Sequence, residues 1–128
     1  METIEFETKK KLEVVDITDE VIKFAAKSKI EEGHLIVYAP HATLAIVANE
    51  NESGLLEDMK DLMESLIPEG KDYKHHDSNA TAHLRTGLFG HTEVFIVAKG
   101  KILLGTWQRI MAIELDGPRH RKVILSLR

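Results

Sequence analysis

The chain has 128 residues, a length that fits one domain and supports a normal core. Hydrophobic residues make up 43% and charged residues 30%, which excludes disordered and fibrous classes. The formal net charge is −4 and there is no cysteine. Nucleic-acid binding through bulk charge, disulfides, thiolate metal sites and a cysteine nucleophile are thereby excluded. No apolar run reaches membrane-spanning length, and Glu2 directly after Met1 does not fit a secretory signal, so a cytoplasmic protein without a membrane partner is expected.

Ile4 and Phe6 alternate with Thr3, Glu5 and Glu7, a period of two that predicts a strand, which Val14 and Ile17 extend or follow. Thr18 is placed to cap a helix whose apolar positions are Val21, Ile22, Phe24, Ala25 and Ile30, with Gly33 ending that region. His34 to Ala39 and Thr43 to Ala48 read as strands on either side of Pro40-His41. Ser53 then caps a helix carrying Leu55, Leu56, Met59, Leu62, Met63, Leu66 and Ile67 at helical spacing, and Pro68 stops it. A polar loop leads to Asn79, which is placed to cap a short helix through His83 to Phe89, closed by Gly90. Val94 to Ala98 and Ile102 to Leu104 flank Lys99-Gly100 as a hairpin. Thr106 to Leu115 reads as one long strand with Trp107 in the core, Asp116-Gly117-Pro118 as a turn, and Arg121 to Leu127 as the last strand, alternating on Val123, Leu125 and Leu127. Strands dominate and three helices interrupt them, which predicts a single α+β domain over 1–128 with largely antiparallel sheets.

Histidine is where chemistry concentrates. His75, His76 and His83 lie within nine residues, and His41 sits at a strand turn. Imidazole is both the commonest metal ligand and the best proton carrier near neutral pH. The spacing matches no zinc motif such as H-E-x-x-H, so the metal signal from spacing is weak, and a polar surface loop with one buried, hydrogen-bonded histidine is the favoured reading from spacing alone. A strand of about seven residues separates His41 from Glu50 by roughly 20 Å. These two therefore share a site only if the strand bends or if neighbouring subunits meet. Glu50 also reads as an acid near a helix start. Gln108 and Glu114 share parity on the long strand, which places two polar groups on one face, a cleft or a solvated surface. Arg119, Arg121 and their basic neighbours form a patch suited to a small-molecule phosphate, or else a solvated turn. There is no G-x-S-x-G elbow, no phosphate-binding glycine loop and no dinucleotide fingerprint.

The stretches His41-Ala42-Thr43, Asn49-Glu50-Asn51, Tyr73-Lys74-His75, Asn79-Ala80-Thr81-Ala82-His83-Leu84 and Leu104-Gly105-Thr106-Trp107-Gln108, together with Gly100 and Glu114, occur in the order seen in the YjbQ-like family. The chain resembles that family over nearly its whole length, with Gly-Thr-Trp-Gln the most specific piece. Its members are commonly labelled secondary thiamine-phosphate synthase enzymes. The resemblance implies a homotrimer with sheets packed about a threefold axis. It implies shared polar positions at His41, Glu50, His75, Asn79, His83, Gln108 and Glu114, and a divalent metal, plausibly zinc, held by histidines near the subunit boundary. It also implies an activity joining a hydroxymethylpyrimidine diphosphate to a thiazole phosphate.

This chain departs from the family pattern in its short loop before His83, in Ala42 where a hydroxyl is frequent, and in Asn79 with the nearby acid Asp77. Either Asp77 or Asn79 takes the acid's role, and His76 has no counterpart. The expectation is a metal-dependent enzyme acting on a small phosphorylated substrate. His41, His75 and His83 are its ligands or acid–base groups, Glu50 or Asp77 a supporting carboxylate, and Arg119 or Arg121 the phosphate contact. The alternatives are a non-catalytic trimeric module binding a metal or small ligand, and a structural oligomer with satisfied histidines.

Overall fold

The computed structural model describes residues 1–128. In chain order the elements are β1 (Glu2–Glu7), β2 (Glu13–Asp16), α1 (Thr18–Ser28), β3 (Glu32–Tyr38), β4 (Leu44–Asn49), α2 (Ser53–Leu66), α3 (Ala80–Phe89), β5 (Thr92–Ala98), β6 (Lys101–Ile102), β7 (Arg109–Glu114) and β8 (His120–Leu127). A five-stranded sheet runs β1-β8-β3-β5-β6 and a three-stranded sheet runs β2-β7-β4. Every pairing is antiparallel, so the chain is an α+β domain as its pattern of elements predicts.

The alternation seen in the sequence decides the packing. Leu35 and Val37 of β3, Phe95 and Val97 of β5, and Val123, Leu125 and Leu127 of β8 share the inner face of the larger sheet. They close one core with Ile17, Val21 and Ala25 at α1 and with Leu44, Ile46, Ile110 and Ala112 of the smaller sheet. The opposite face of the smaller sheet offers Ala45 and Ile113, with Leu115 just beyond β7, to Met63 of α2 and Ala82 of α3. Being covered on both faces, β4 and β7 read as nearly continuous apolar runs rather than alternating ones.

Several local expectations are corrected. Gly33 does not end the α1 region but lies inside β3, where a Cβ would meet the carbonyl of Arg128 at 2.5 Å. The caps also move. Asp16, not Thr18, accepts the Thr18 amide at the start of α1 (3.0 Å), while Thr18 Oγ1 accepts the Ile110 amide (2.8 Å). Glu52, not Ser53, caps α2 by accepting from the Gly54 and Leu55 amides. Lys99 and Gly100 both have positive φ, 53° and 73°, which suits a two-residue hairpin turn of the expected kind.

The long strand from Thr106 is shorter than its composition suggests. Gly105 to Gln108 form a turn, with the Gln108 amide donating to the Gly105 carbonyl (3.1 Å), and pairing begins only at Arg109. Trp107 is therefore 72% exposed instead of buried in the core.

The helices depart from the usual pattern too. Of the apolar positions on α2 only Met63 is fully buried, while Leu62 and Leu66 face outward. α3 is inverted: Ala80, Thr81, Ala82, Arg85 and Thr86 point inward, and Leu84 and Leu88, one helical turn apart, point out at 49% and 60% exposure.

Candidate functional site

The site is built where the loop after α2 meets α3 and the turn between β7 and β8. The loop starts from an anchored end. Glu69 Oε1 accepts the Thr81 hydroxyl (2.8 Å) and Lys11 Nζ (3.1 Å), and the buried Arg85 donates to Glu64 (3.0 Å) and to the carbonyl of Ile67 (2.7 Å). Burial resists ionisation of Glu69, but hydrogen bonds from Thr81 and Lys11 outweigh it and hold the carboxyl below its ordinary value. Tyr73 ties the loop to itself by donating its hydroxyl to the Pro68 carbonyl (2.6 Å).

At its far end Asn79 stands at the N-terminus of α3 without capping it through its side chain. Its amide nitrogen donates instead to Asp116 Oδ2 (2.8 Å), and Arg119 Nη2 donates to the same oxygen (3.0 Å). Asn79 Oδ1 is buried with no partner. With both loop ends fixed, His75 lies against His83, ring centroids 4.8 Å apart. These rings open on a hollow of about 260 Å³ lined by Tyr73, Lys74, His75, Ala80, His83 and Leu84.

Beneath this turn lies a buried ion pair. Glu114 and Arg121, 0% and 3% exposed, are bonded through Arg121 Nε (2.8 Å) and Nη2. Arg121 Nη2 also donates to the Thr43 hydroxyl and carbonyl (2.8 and 3.1 Å). The remaining capacity of Glu114 is filled by the Thr8 hydroxyl (2.7 Å) and the Asp116 amide (3.1 Å). Burial opposes ionisation of Glu114 most strongly. The donors from Arg121, Thr8 and Asp116 together overcome it, so the carboxylate stays charged with its pKa lowered. The expectations for this pair are corrected accordingly. Arg121 does not offer a surface phosphate contact, because its guanidinium is committed to Glu114 and Thr43. Glu114 does not share a polar face with Gln108, because it is wholly buried and Gln108 stands outside the strand. Both act by fixing the turn that carries Asp116 and Arg119.

His41 borders this network. Its Nε2 accepts the Lys122 amide N–H (3.1 Å), which leaves Nδ1 to carry the proton of the neutral ring. Burial first, and then the positive charge of Arg121, hold its pKa below the usual histidine value. Arg119 remains about half exposed beside Asp116. Asp77 is exposed in the loop, and its amide donates to His75 Nδ1 (3.4 Å). His76, also exposed, joins no hydrogen bond or ring contact with the pair.

Glu50 and Gln108 lie elsewhere. Leu44 pairs with Glu114, and Asn49 pairs with Arg109, so the two ends of β4 stand roughly 17 Å apart at ~3.3 Å per residue. Glu50 follows Asn49 and Gln108 precedes Arg109, so both lie just beyond this end of the pairing. Asp16 fixes that end by accepting from Arg109 Nε (2.9 Å), Asn51 Nδ2 (3.0 Å) and Thr18 Oγ1 (2.6 Å). Burial of the Asp16 carboxyl is overridden by these donors, Arg109 foremost, and its pKa falls far below the carboxylate range.

The expected residues thus form two groups at opposite ends of the smaller sheet. His41, His75, Asn79, His83, Glu114, Arg119 and Arg121 mark one end, and Glu50 and Gln108 mark the other. The three-histidine metal set is not assembled within one chain. His75 and His83 are paired, His41 gives its Nε2 to a backbone amide, and no three His, Asp or Glu side chains converge where they could hold an ion. No helix is long and apolar enough to cross a membrane.

Comparison with known proteins agrees with this fold. The model of the family described as UPF0047 protein YjbQ-like matches residues 2–128. A UPF0047 protein of Archaeoglobus fulgidus is 50% identical over 121 residues, covering 93% of this chain and 94% of that one. The UPF0047 protein YugU of Bacillus subtilis is 34% identical over 129 residues, covering 99% and 98%. Among solved structures, a YbjQ-like protein of unknown function from Sulfolobus solfataricus superposes with a TM-score of 0.96 at 40% identity, covering 98% of this chain and 94% of that one. An uncharacterized YjbQ/UPF0047 family protein from Clostridium acetobutylicum gives 0.96 at 33% identity with complete coverage of both. Sequence and fold agree over the full length, and the chain belongs to the YjbQ-like UPF0047 family.

Proposed function

We propose that the protein is a homotrimeric transferase acting on small phosphorylated heteroaromatic substrates, with the thiamine-phosphate-synthase-like reaction implied by its family resemblance. The observation that carries this reading is the His75–His83 pair, opening on a hollow with Lys74 in its wall, while Arg119 is joined through Asp116 to Asn79 at the start of α3. In the reaction, the thiazole nitrogen attacks the methylene carbon of the pyrimidine diphosphate. A C–N bond forms, the C–O bond breaks, and pyrophosphate leaves with the bonding pair. Such a step needs charge stabilisation at the departing oxygens rather than a strong base. Arg119 and Lys74 supply positive charge, and the His75 and His83 rings supply N–H donors at the mouth of the hollow. Asn79 and Asp116 hold Arg119 and the start of α3 in register. One chain's histidines do not fit a three-ligand metal centre, so no step is routed through an ion.

The trimer has a physical basis as well. Ile36 of β3 lies directly opposite Val94 of β5, with Ile96 and Tyr38 on the same outer face of the larger sheet, all of them exposed. A contiguous apolar sheet face of this kind is suited to association.

The test is pyrophosphate release from hydroxymethylpyrimidine diphosphate in the presence of thiazole phosphate, with and without added zinc or magnesium. Turnover that falls at least tenfold in His83→Ala and in Arg119→Ala is the expected result. Tight binding of either substrate without turnover would instead establish a binding module, and neither binding nor turnover would refute the reading.

A further inference from the structure

The loop that carries His75 has a hollow on each side. One, of about 260 Å³, has Lys74, His83 and Leu84 in its wall. The other, of about 180 Å³, has Glu69, Lys71, Asp72, Ser78 and Thr81. Tyr73, His75 and Ala80 stand in both walls, so the two hollows adjoin along one strip of the chain. Neither alone reaches the ~300–1,000 Å³ usual for a complete small-molecule site, and the two together do.

Their linings differ in kind. The first offers two imidazole rings, Leu84 and Ala80, a wall suited to a flat ring. The second offers the carboxylates of Glu69 and Asp72, the Ser78 hydroxyl and one cation, Lys71, whose ammonium lies over the Tyr73 ring (5.8 Å). Two carboxylates against one lysine disfavour a phosphate there and favour an N–H donor. Glu69 is the group best prepared for one. The Thr81 hydroxyl (2.8 Å), Lys11 Nζ (3.1 Å) and Arg85 Nη1 (3.6 Å) all approach its Oε1. They hold the carboxylate in place and ionised, while Oε2 accepts no hydrogen bond and keeps its lone pairs free. A group already fixed in position loses little freedom when a ligand arrives.

We propose that the two hollows are halves of one site, and that Glu69 Oε2 accepts from the exocyclic amino group of a flat nitrogen heterocycle whose ring lies along Tyr73, His75 and Ala80. This rests on the reading above and deepens it, because the pyrimidine of that reaction carries such an amino group. The ring is thereby oriented. Its amino edge meets Glu69, and repulsion from Glu69 and Asp72 keeps the diphosphate on the Lys74 side, where the departing oxygens need positive charge. Glu69 determines specificity: it touches the edge of the ring and not the reacting atoms. A site built to bond a particular N–H rejects the analogue that lacks it, because its own polar group is then left unpaired.

The experiment is calorimetric titration of the full chain, wild type and Glu69→Met, with hydroxymethylpyrimidine diphosphate and with its analogue carrying hydrogen in place of the amino group. The wild type should prefer the amino ligand at least tenfold, and Glu69→Met should prefer it less than threefold. The preference is a ratio between two ligands, so a general loosening of the loop in the variant cancels from it. Carboxyl-carbon NMR of the wild type gives a check that needs no variant: the Glu69 signal should shift with the amino ligand and stay in place with the analogue. A wild-type preference below tenfold, a preference in Glu69→Met equal to that of the wild type, or an unmoved Glu69 signal overturns the proposal. Selective binding of the amino ligand without pyrophosphate release would overturn only the proposed reaction. Release from both ligands with equal efficiency would overturn only the role of Glu69, and binding of neither would overturn both.

Discussion

Glu114→Gln is the sharpest test of the network beneath the site. The substitution keeps shape and removes charge. In the native chain the carboxylate receives Arg121 twice, the Thr8 hydroxyl and the Asp116 amide, and it is completely buried. A glutamine amide offers one acceptor oxygen and turns its NH₂ toward other donors, leaving the Arg121 charge uncompensated at 3% exposure. Breaking a buried pair in this way costs about 3–5 kcal/mol. Domains of this size are stable by about 5–15 kcal/mol, so at least a fifth of the total is at stake. At ~2.1 cal/mol/K of unfolding entropy per residue, that loss lowers Tm by roughly 10–20 °C.

The assay is reversible thermal and urea unfolding of the wild type, Glu114→Gln, Arg121→Met and the double variant. The double variant should be more stable than the sum of the single losses by at least ~1.5 kcal/mol, because it removes both charges together. Acid gives a second readout. The folded pKa of Glu114 lies below its usual 4.5, so the stabilisation is complete above that value and is lost as pH falls through the depressed folded value. Glu114→Gln should therefore flatten the acid limb of the stability profile. A loss below ~1 kcal/mol with an additive cycle would refute the assignment of Glu114 and Arg121 as a coupled buried pair.

Other expectations follow from particular contacts. A Cβ on Gly117 would sit 2.8 Å from Glu114 Cγ and 2.9 Å from Thr8 Oγ1 and would also collide with the Lys10 carbonyl. Gly117→Ala should thus cost about 1–3 kcal/mol in chemical unfolding, and a neutral result would show that the turn yields freely. Lys99 has φ 53° in the β5–β6 turn, a left-handed conformation that costs most L-residues roughly 1–2 kcal/mol, and Lys99→Asn should recover part of that in chemical unfolding because asparagine tolerates it better. His120 lies between Glu7 (2.8 Å) and Glu5 (3.3 Å), which raise its pKa in that order. Its favourable pairing is complete below the ordinary histidine value of 6.5 and fades as pH rises through the raised folded value. Glu7→Gln should lower that pKa in an NMR titration, and an unchanged midpoint would remove Glu7 as its cause.

The strands were legible because period and turn chemistry agree locally. Ile4 and Phe6 alternate, and Lys99-Gly100 supplies two residues with positive φ. Misread segments are those decided by side chains that reach across the chain. Thr106-Trp107 continues an apolar run toward Arg109, and only the Gln108 side chain folding back on the Gly105 amide turns it out of the strand. Thr18 and Asn79 are both good cap residues, but each is diverted, Thr18 to Asp16 and the Ile110 amide, Asn79 to Asp116. At the site, the pairing of His75 with His83 was suggested by their loop, whereas Asp116 was hidden as an ordinary turn residue. Thr8, Asp16 and Arg85 carry no local signal at all.

One signal was present in the sequence and pointed inward. Arg121 shares the parity of Val123, Leu125 and Leu127, which places its guanidinium on the buried face of β8. A cation at a core position needs a buried anion, and β7 supplies one at its end in Glu114. The pair is costly to bury, and an apolar replacement of similar volume would serve stability at least as well. What it provides that an apolar pair cannot is direction. Glu114 grips the Asp116 amide and Thr8, Thr8 accepts the Arg119 amide (2.8 Å), and the turn bearing Asp116 and Arg119 is aimed at Asn79 and α3. If that is its use, Glu114→Met/Arg121→Met should keep most of the stability yet lose tenfold or more in pyrophosphate release, and equal loss of both would show that the pair serves stability alone.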